Sequence, residues 1–260
     1  MSELLIGKNI RKSYGEGNEK QVVLDNVSVS IKTGEFISIM GPSGSGKSTL
    51  MYVLSGMDVP EGGNVTFDGD DLAVIKEKDL AEIRRTKMGF IFQQPSLLKN
   101  LNIGDNIILT IGDNIILTSV RSNRKNIKDI LIKADNLMKM TGIENLKNRN
   151  INEVSGGQLQ RAGICRSLMN DPKIIFGDEP TGALNSKSAE EIMDLLRHIN
   201  NKGTTIVLVT HDPKVASKTE RIMFMSDGKI QSELKLSKYD GKNIDERMEK
   251  ILGEMKNIGI

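Results

Sequence analysis

The chain has 260 residues with 36 Lys and Arg against 34 Asp and Glu, a formal net charge of +2, and 38% of its residues are hydrophobic. This near-balance of charge argues against binding nucleic acid through a broad basic field, and the apolar content excludes a disordered or collagen-like chain. A chain of this length buries one large core, or a core with an inserted lobe.

Four apolar segments predict strands. Residues 22–31 and 35–40 are rich in β-branched side chains and flank a short Lys-Thr-Gly turn, which predicts a pair of adjacent strands. The apolar runs at 173–176 and 204–209 are bounded by charged residues or glycine. That pattern is typical of strands buried in the centre of a sheet.

Between and after these strands, apolar residues occur at the three- and four-residue spacing of a helix. This spacing is present at 127–138, at 192–199 and in a tail at 244–255, which predicts three helices. An Asp-Gly pair inside 222–230 predicts a hairpin. Because strands alternate with helices, we expect an α/β fold with a parallel sheet.

One eight-residue segment occurs twice, because Ile103–Thr110 is followed by an identical Ile111–Thr118. Eight residues are too few for a solenoid repeat, and inserted into a helix they would lengthen it by about 12 Å and rotate the following face. A neutral in-frame duplication or a sequence error explains the repeat more simply than a function does.

The single cysteine, Cys165, indicates a reducing compartment because it cannot form an internal disulfide. The two histidines, His198 and His211, make no zinc motif with it. No apolar run approaches the roughly 18 residues that a membrane span needs, and the first residues lack the pattern of a signal peptide. We expect a cytoplasmic protein, for which any membrane role must come through a partner.

A phosphate-binding motif follows the second predicted strand. Residues 41–48 read Gly-Pro-Ser-Gly-Ser-Gly-Lys-Ser, which fits G-x-x-x-x-G-K-[ST], and a helix is predicted at 49–54. Backbone amides of such a loop surround phosphate oxygens, Lys47 reaches the β- and γ-phosphates, and Ser48 is a ligand for Mg²⁺. The residues assigned to the nucleotide here are Gly41, Ser43, Gly44, Ser45, Gly46, Lys47, Ser48 and Thr49.

An acidic pair supplies the second half of this site. Asp178 and Glu179 come directly after the buried strand predicted at 173–176. Asp178 would hold Mg²⁺ through water, and Glu179 would polarise or deprotonate the water that attacks the γ-phosphate. The two motifs together predict hydrolysis of a nucleoside triphosphate.

A third motif separates the families that share a phosphate loop. Val154–Gln158 reads Val-Ser-Gly-Gly-Gln and lies between Gln93 and the acidic pair, with His211 further along the chain. In these motifs and in their order, residues 1 to about 232 resemble the ATP-binding-cassette (ABC) ATPases.

The resemblance implies a P-loop α/β fold of ABC ATPase type. Such a fold has a mostly parallel central sheet, an antiparallel β subdomain and an inserted α-helical subdomain. We therefore expect an ATPase domain at 1–234, with the helical subdomain at about 94–170. A C-terminal helical extension is expected at 235–260.

The resemblance also implies a second phosphate contact, made to another copy of the chain. Ser155, Gly156, Gly157 and Gln158 at the start of a helix would form an anion site for the γ-phosphate of ATP bound to the opposite subunit. Two copies facing head to tail would complete each other's sites, so ATP would hold an isologous dimer together.

The resemblance also implies roles for single residues outside these motifs. Tyr14 would stack on adenine, Gln93 would sense Mg²⁺ and the attacking water, and His211 would hydrogen-bond the γ-phosphate and position Glu179. Gln94 is a less suitable candidate than Gln93. The expected catalytic residues are Lys47, Gln93, Glu179 and His211, and the expected Mg²⁺ ligands are Ser48, Gln93 and Asp178.

One position departs from the family pattern. Asn185 stands where the family usually has aspartate. Asparagine keeps hydrogen-bonding capacity but lacks the carboxylate charge, so communication between the two sites of a dimer would change. The groups expected to carry out hydrolysis are all present.

A transport function would require separate permease subunits, whose cytosolic helices press into the groove beside Gln93. The entry loop at 14–20 and the segments 90–94 and 177–184 look like the branch of macrolide and lipoprotein exporters, and 178–187 is similar to bacitracin- and lantibiotic-resistance ATPases. The resemblance implies export of, or resistance to, antimicrobial peptides. The alternative is an ABC ATPase that changes a membrane protein's conformation without transport, as in cell division. Without a basic stripe, no nucleic-acid partner is expected.

Overall fold

The structure is a computed structural model that describes residues 2–109 and 124–260. The second copy of the repeated octapeptide, 111–118, lies outside the described residues, as does Thr110 at the end of the first copy. The expectation stated for that repeat therefore stays a prediction.

The strands and helices predicted from the sequence are present among the described residues, together with further elements that were not predicted. The strands are β1 (Glu3–Tyr14), β2 (Gln21–Lys32), β3 (Phe36–Met40), β4 (Gly62–Phe67), β5 (Asp70–Asp71), β6 (Met88–Phe92), β7 (Ile174–Asp178), β8 (Thr205–Thr210), β9 (Arg221–Ser226) and β10 (Lys229–Lys235). The helices are α1 (Lys47–Leu54), α2 (Glu77–Lys87), α3 (Ile103–Ile108), α4 (Arg124–Met140), α5 (Gly156–Ser167), α6 (Ser186–Asn201), α7 (Pro213–Ala216) and α8 (Ile244–Asn257).

The chain divides into two compact units. The first unit contains Met1–Arg84 and Leu196–Ile260, and the second contains Arg85–Leu195. The expected limits of the ATPase domain, its helical subdomain and its C-terminal extension stay predictions.

The first unit holds two kinds of sheet. One is antiparallel, in the order β2-β1-β4-β5. In the other, β3 pairs in parallel with both β8 and β9, and β9 continues antiparallel to β10 through the hairpin predicted at 222–230. The predicted parallel sheet and its flanking antiparallel strands are therefore present.

The prediction that 22–31 and 35–40 form adjacent strands is wrong. β2 pairs with β1, whereas β3 lies between β8 and β9 in the other sheet. The burial pattern gives the physical reason. Every residue of β3 is buried, as in a central strand covered on both faces, whereas β2 has exposed positions among its buried ones.

The second unit contains a parallel strand pair and a helical core. β6 pairs with β7 in a register that places Phe92 beside Asp178. The helical core lies among α3, α4 and α5. Its buried residues are Ile103, Ile107, Ile130, Ala134, Met138, Ile143, Leu146, Ala162, Cys165 and Met169.

The predicted tail helix is α8, and it packs on the first unit. Its Ile251 joins an apolar cluster with Met40 and Phe224. The buried guanidinium of Arg247 donates hydrogen bonds to the carbonyls of Ser217 (2.6 Å), Thr219 (2.7 Å) and Ser237 (2.8 Å). Apolar packing and a buried set of hydrogen bonds thus fix this helix.

Candidate functional site

The phosphate loop of the first unit connects the end of β3 to the start of α1. Gly46 caps the helix at φ 96°, a left-handed conformation that a side chain would strain. Gly41 lies against the β9–β10 hairpin so closely that a Cβ would be 2.0 Å from the carbonyl oxygen of Met225. Gly41 and Gly46 are therefore required by the path of the backbone, which explains why the motif has glycine at these two positions.

Two polar groups of this loop are buried and directed within it. The side chain of Lys47 is 7% exposed, and its Nζ donates a hydrogen bond to the carbonyl of Pro42 at 2.6 Å. Ser45 is 4% exposed, and its Oγ has no hydrogen-bond partner among the described residues. A Cβ at Gly44 would meet no atom within 4 Å. A buried cation, an unsatisfied hydroxyl and open space beside the backbone fit a phosphate group.

Tyr14 ends β1 in the same unit. The residue is 45% exposed, and its hydroxyl donates a hydrogen bond to Asp58 Oδ2 at 2.6 Å. The hydrogen bond to the Asp58 carboxylate, together with burial, raises the pKa of Tyr14, although the Thr49 hydroxyl opposes the rise. Since Thr49 belongs to α1, the phenol lies beside the helix that begins at the phosphate loop.

His211 follows β8 and is exposed. The next residue, Asp212, caps α7 by accepting a hydrogen bond from the Lys214 amide at 2.8 Å. The structure thus places Tyr14, the phosphate loop and His211 in the first unit. The His198 side chain is also exposed, as expected for a surface position.

The second unit carries the acidic pair and Gln93. β7 ends at Asp178, and Glu179 follows with φ 46°, a left-handed conformation that costs a non-glycine residue about 1 to 2 kcal/mol. Gln93 follows β6. A Cβ added at Gly182 would lie 2.8 Å from Gln93 Nε2 and 3.2 Å from Glu179 Oε2. Both side chains therefore reach the same small space beside Gly182.

The Ser-Gly-Gly-Gln segment forms the start of α5. Ser155 is the cap, and its Oγ accepts a hydrogen bond from the Gln158 amide at 3.3 Å. In return, Gln158 Oε1 accepts from the Ser155 amide at 2.8 Å, which completes a capping box. The amides of Gly156 and Gly157 start the helix, where the helix dipole favours an anion.

Asn185 has a local structural role. Its Oδ1 accepts a hydrogen bond from the Ser188 amide at 2.9 Å at the start of α6. Ser188 in turn lies next to the glycines of α5, because a Cβ at Gly157 would be 3.0 Å from Ser188 Oγ. The amide thus retains the capping hydrogen bond that an aspartate at this position would make.

The residues expected to bind Mg²⁺ carry hard oxygen atoms, Ser48 in the first unit and Gln93 and Asp178 in the second. Within residues 2–109 and 124–260, no three His, Cys, Asp or Glu residues are grouped so that they would hold a metal ion. This donor chemistry fits an ion bound through few protein ligands plus phosphate and water, which is how Mg²⁺ binds in nucleotide sites.

Sequence reasoning missed several residues around these groups. Lys12 and Asp58 contact Tyr14 or its hydroxyl. Gln160 is 1% exposed and donates to the carbonyl of Phe92, the residue before Gln93, at 3.0 Å. Asp58 lies 44 residues from Tyr14, and Gln160 lies 68 residues from Phe92, so no spacing rule marks these two pairs. Lys12 is two residues from Tyr14 on the same strand.

The fold and the two groups of site residues define a P-loop ATPase, and the sequence profile of the ABC transporter family matches residues 24–182. The chain belongs to the ABC transporter family, as an ATP-binding and ATP-hydrolysing subunit. In the part of the chain that the structure describes, no helix has both the length and the apolar content needed to span a membrane.

Curated relatives extend the match over most of the chain. The bacitracin export ATP-binding protein BceA of Halalkalibacterium halodurans is 43% identical over 232 residues, which cover 89% of this chain and 88% of that protein. The macrolide export ATP-binding/permease protein MacB of Bdellovibrio bacteriovorus is 42% identical over 229 residues. These cover 88% of this chain but 34% of MacB.

A solved structure gives the same result for the fold. The cassette MJ0796 of Methanocaldococcus jannaschii, in a dimeric post-hydrolysis state bound to ADP and Pi, has a TM-score of 0.78 and 39% identity. The match covers 91% of this chain and all of that one.

Proposed function

We propose that two copies of this chain close head to tail around two ATP molecules and drive a separate membrane permease, placing the chain on the inner face of the cell membrane. Its phosphate loop, with a buried Lys47 and an unsatisfied Ser45 hydroxyl, is the observation that carries nucleotide binding. The dimeric state of MJ0796 and the permease portion of MacB support the two partners.

In this proposal the phosphate loop binds and orients ATP. The phosphate replaces the carbonyl of Pro42 as a partner of Lys47 Nζ, and the Ser45 hydroxyl gains an acceptor. Ser48, Gln93 and Asp178 would hold Mg²⁺, which neutralises developing charge on the phosphates when bound. Tyr14 offers its exposed ring to adenine.

Hydrolysis is assigned to the group beside Gly182. Glu179 Oε2 would accept a proton from water, and Gln93 would orient that water from the same side. The left-handed backbone at Glu179, directly after β7, is a strained conformation that the surrounding fold stabilises. His211 would hydrogen-bond the γ-phosphate and position Glu179.

The start of α5 would complete the site of the opposite subunit. The capping box fixes Ser155 and Gln158 before any nucleotide arrives, so the amides of Gly156 and Gly157 need no rearrangement to receive an anion. Preformed donors of this kind lower the cost of closing the dimer.

The finer proposal is export of, or resistance to, antimicrobial peptides. It is supported by 43% identity to a bacitracin export subunit along 88% of that protein's length. The test is to express this chain together with the membrane protein encoded beside it in a sensitive bacterium. We expect a higher inhibitory concentration for bacitracin or a lantibiotic with the unmodified chain and no rise with Glu179→Gln.

Other outcomes separate the levels of this proposal. Tolerance to macrolides without tolerance to peptides would reject the peptide substrate and retain the exporter. Altered cell division without any tolerance would favour the conformational function over transport. Absence of ATP binding to the purified chain would reject the assigned site residues.

A further inference from the structure

We propose that Asp58 is a positioning residue that, with Lys12, holds the Tyr14 ring ready to stack on adenine. The inference rests on the proposed function, because it concerns how the nucleotide's base meets this site. All three residues belong to the first unit. Asp58 lies 44 residues from Tyr14 in the sequence and is in direct contact with it.

The Asp58 carboxylate uses both oxygens in a closed set of hydrogen bonds. Oδ2 accepts from the Tyr14 hydroxyl at 2.6 Å, and Oδ1 accepts from Lys12 Nζ at 2.5 Å and from the Val59 amide at 2.7 Å. Lys12 Nζ also donates to the Val59 carbonyl at 2.9 Å. Bonds to both oxygens fix the plane of the carboxylate, and this plane fixes the direction of the phenol.

The carboxylate is itself tied to the helix that follows the phosphate loop. The Asp58 amide donates to the carbonyl of Tyr52 in α1 at 3.1 Å. At the start of the same helix, the Thr49 hydroxyl interacts with the Tyr14 phenol. The ring is therefore positioned relative to α1, which begins at Lys47.

Lys12 lies over the ring of a partly exposed Tyr14. Lys12 Nζ is 5.2 Å from the ring centroid, and this lysine side chain is only 13% exposed. Its ammonium attracts one face of the ring, as in other cation–π pairs. Tyr14 as a whole is 45% exposed, and we place the flat base on the face away from Lys12.

The charges agree with this geometry. The Asp58 hydrogen bond raises the pKa of Tyr14, so the phenol stays protonated and keeps donating at neutral pH. Burial alone would raise the pKa of Asp58, but hydrogen bonds from Lys12 and Tyr14 lower it below the ordinary value. The Tyr14–Asp58 hydrogen bond thus joins a neutral donor to an ionised acceptor, which makes it strong.

A held ring binds a base better than a mobile one, because its rotamer entropy has already been lost. Immobilising one such side chain changes affinity by about 2- to 10-fold. We therefore expect Asp58→Asn, and more strongly Asp58→Ala, to weaken ADP binding by about this factor. Inorganic tripolyphosphate, which carries no base, should bind as before.

The test is isothermal titration calorimetry on the full chain with ADP and with tripolyphosphate. Tyr14→Phe keeps the ring but removes the hydroxyl, so it should weaken ADP binding as Asp58→Asn does, and the double variant should add nothing further. Glu61→Gln is the matched control. Glu61 accepts from Ser13 on the same strand at 3.0 Å and pairs with Lys20, and its substitution should leave both ligands unaffected.

An optical titration tests the Tyr14–Asp58 hydrogen bond directly, through the pKa of Tyr14. The alkaline absorbance change of tyrosine, taken as the difference from Tyr14→Phe, gives the ionisation of Tyr14 alone. Asp58→Asn should lower this pKa towards the ordinary value, while Lys12 and Thr49 still face the phenol.

Three results would overturn the positioning role. The first is an equal loss of ADP and tripolyphosphate binding, and the second is an equal effect of Asp58→Asn with and without the Tyr14 hydroxyl. The third is unchanged ADP binding in both Asp58 variants while the unmodified chain binds both ligands, which would reject the positioning role but not the proposed function. If the unmodified chain binds neither ligand, the proposed function itself fails.

Discussion

Replacing Gly182 with alanine tests whether Gln93 and Glu179 act together in hydrolysis. The new Cβ would lie 2.8 Å from Gln93 Nε2 and 3.2 Å from Glu179 Oε2. An ordinary contact begins near 3.4 Å, so the Gln93 amide must move by more than half an ångström. Displacements near 1 Å at reacting groups lower rates by about 100-fold.

The same substitution should cost the fold little. Gly182 is outside the left-handed region, so alanine is compatible with its backbone. The atoms it meets are the ends of flexible side chains, and alanine also lowers the entropy of the unfolded chain by an amount worth about 0.4 to 1 kcal/mol. We expect a change in unfolding free energy within about 1 kcal/mol, together with a 10- to 100-fold loss of hydrolysis.

The assay is single-turnover ATP hydrolysis at saturating protein, with thermal unfolding and ATP affinity measured in parallel. Gly253→Ala, on α8, is the matched control because its Cβ would meet no atom within 4 Å. Hydrolysis by Gly182→Ala at the unmodified rate would refute the reasoning. A large drop in melting temperature would show instead that the methyl group is not accommodated.

Three other substitutions or reagents probe separate parts of the molecule. Glu179→Gln should keep ATP binding, hydrolyse ATP at least about 100-fold more slowly and form an ATP-dependent dimer in size-exclusion chromatography with light scattering. Turnover faster than that of the unmodified chain would contradict the assignment of Glu179 as the general base. Lys47→Ala should weaken ATP binding by about 10- to 100-fold in calorimetry, since it removes charge-assisted hydrogen bonds, and unchanged affinity would reject the phosphate loop. Burial raises the pKa of the Cys165 thiol to about 12. Iodoacetamide at pH 8 should therefore label the unfolded chain and spare the native one. Rapid labelling of the native chain would show that the helical core opens.

Sequence patterns predict the buried centre of this fold well. β7 and β8 are continuous apolar runs, and the motif at 41–48 fixes its own loop because two of its glycines admit no side chain. The tail helix follows from apolar spacing that places Ile251 in the core. In each case a short segment contains both the sequence pattern and the residues whose burial or close packing requires that pattern.

Pairing between distant segments does not have such a local signal. The turn between β2 and β3 favours a hairpin, but β3, which is completely buried, pairs with strands 170 and 184 residues later in the chain. α2 buries only Leu80, and its other apolar residues are Ala81 and Ile83, so its periodicity gives little indication of a helix. The contact of Asp58 with Tyr14 exists because the folded chain brings β1 to the end of α1.

The buried guanidinium of Arg247 makes the last helix part of the structure around His211. It satisfies the carbonyls of Ser217 and Thr219, directly after the short helix that follows that histidine. Shortening the chain before Arg247 would leave buried acceptors without donors, at about 1 to 3 kcal/mol each. Loss of this tail would therefore destabilise the segment that follows His211, the residue proposed to contact the γ-phosphate.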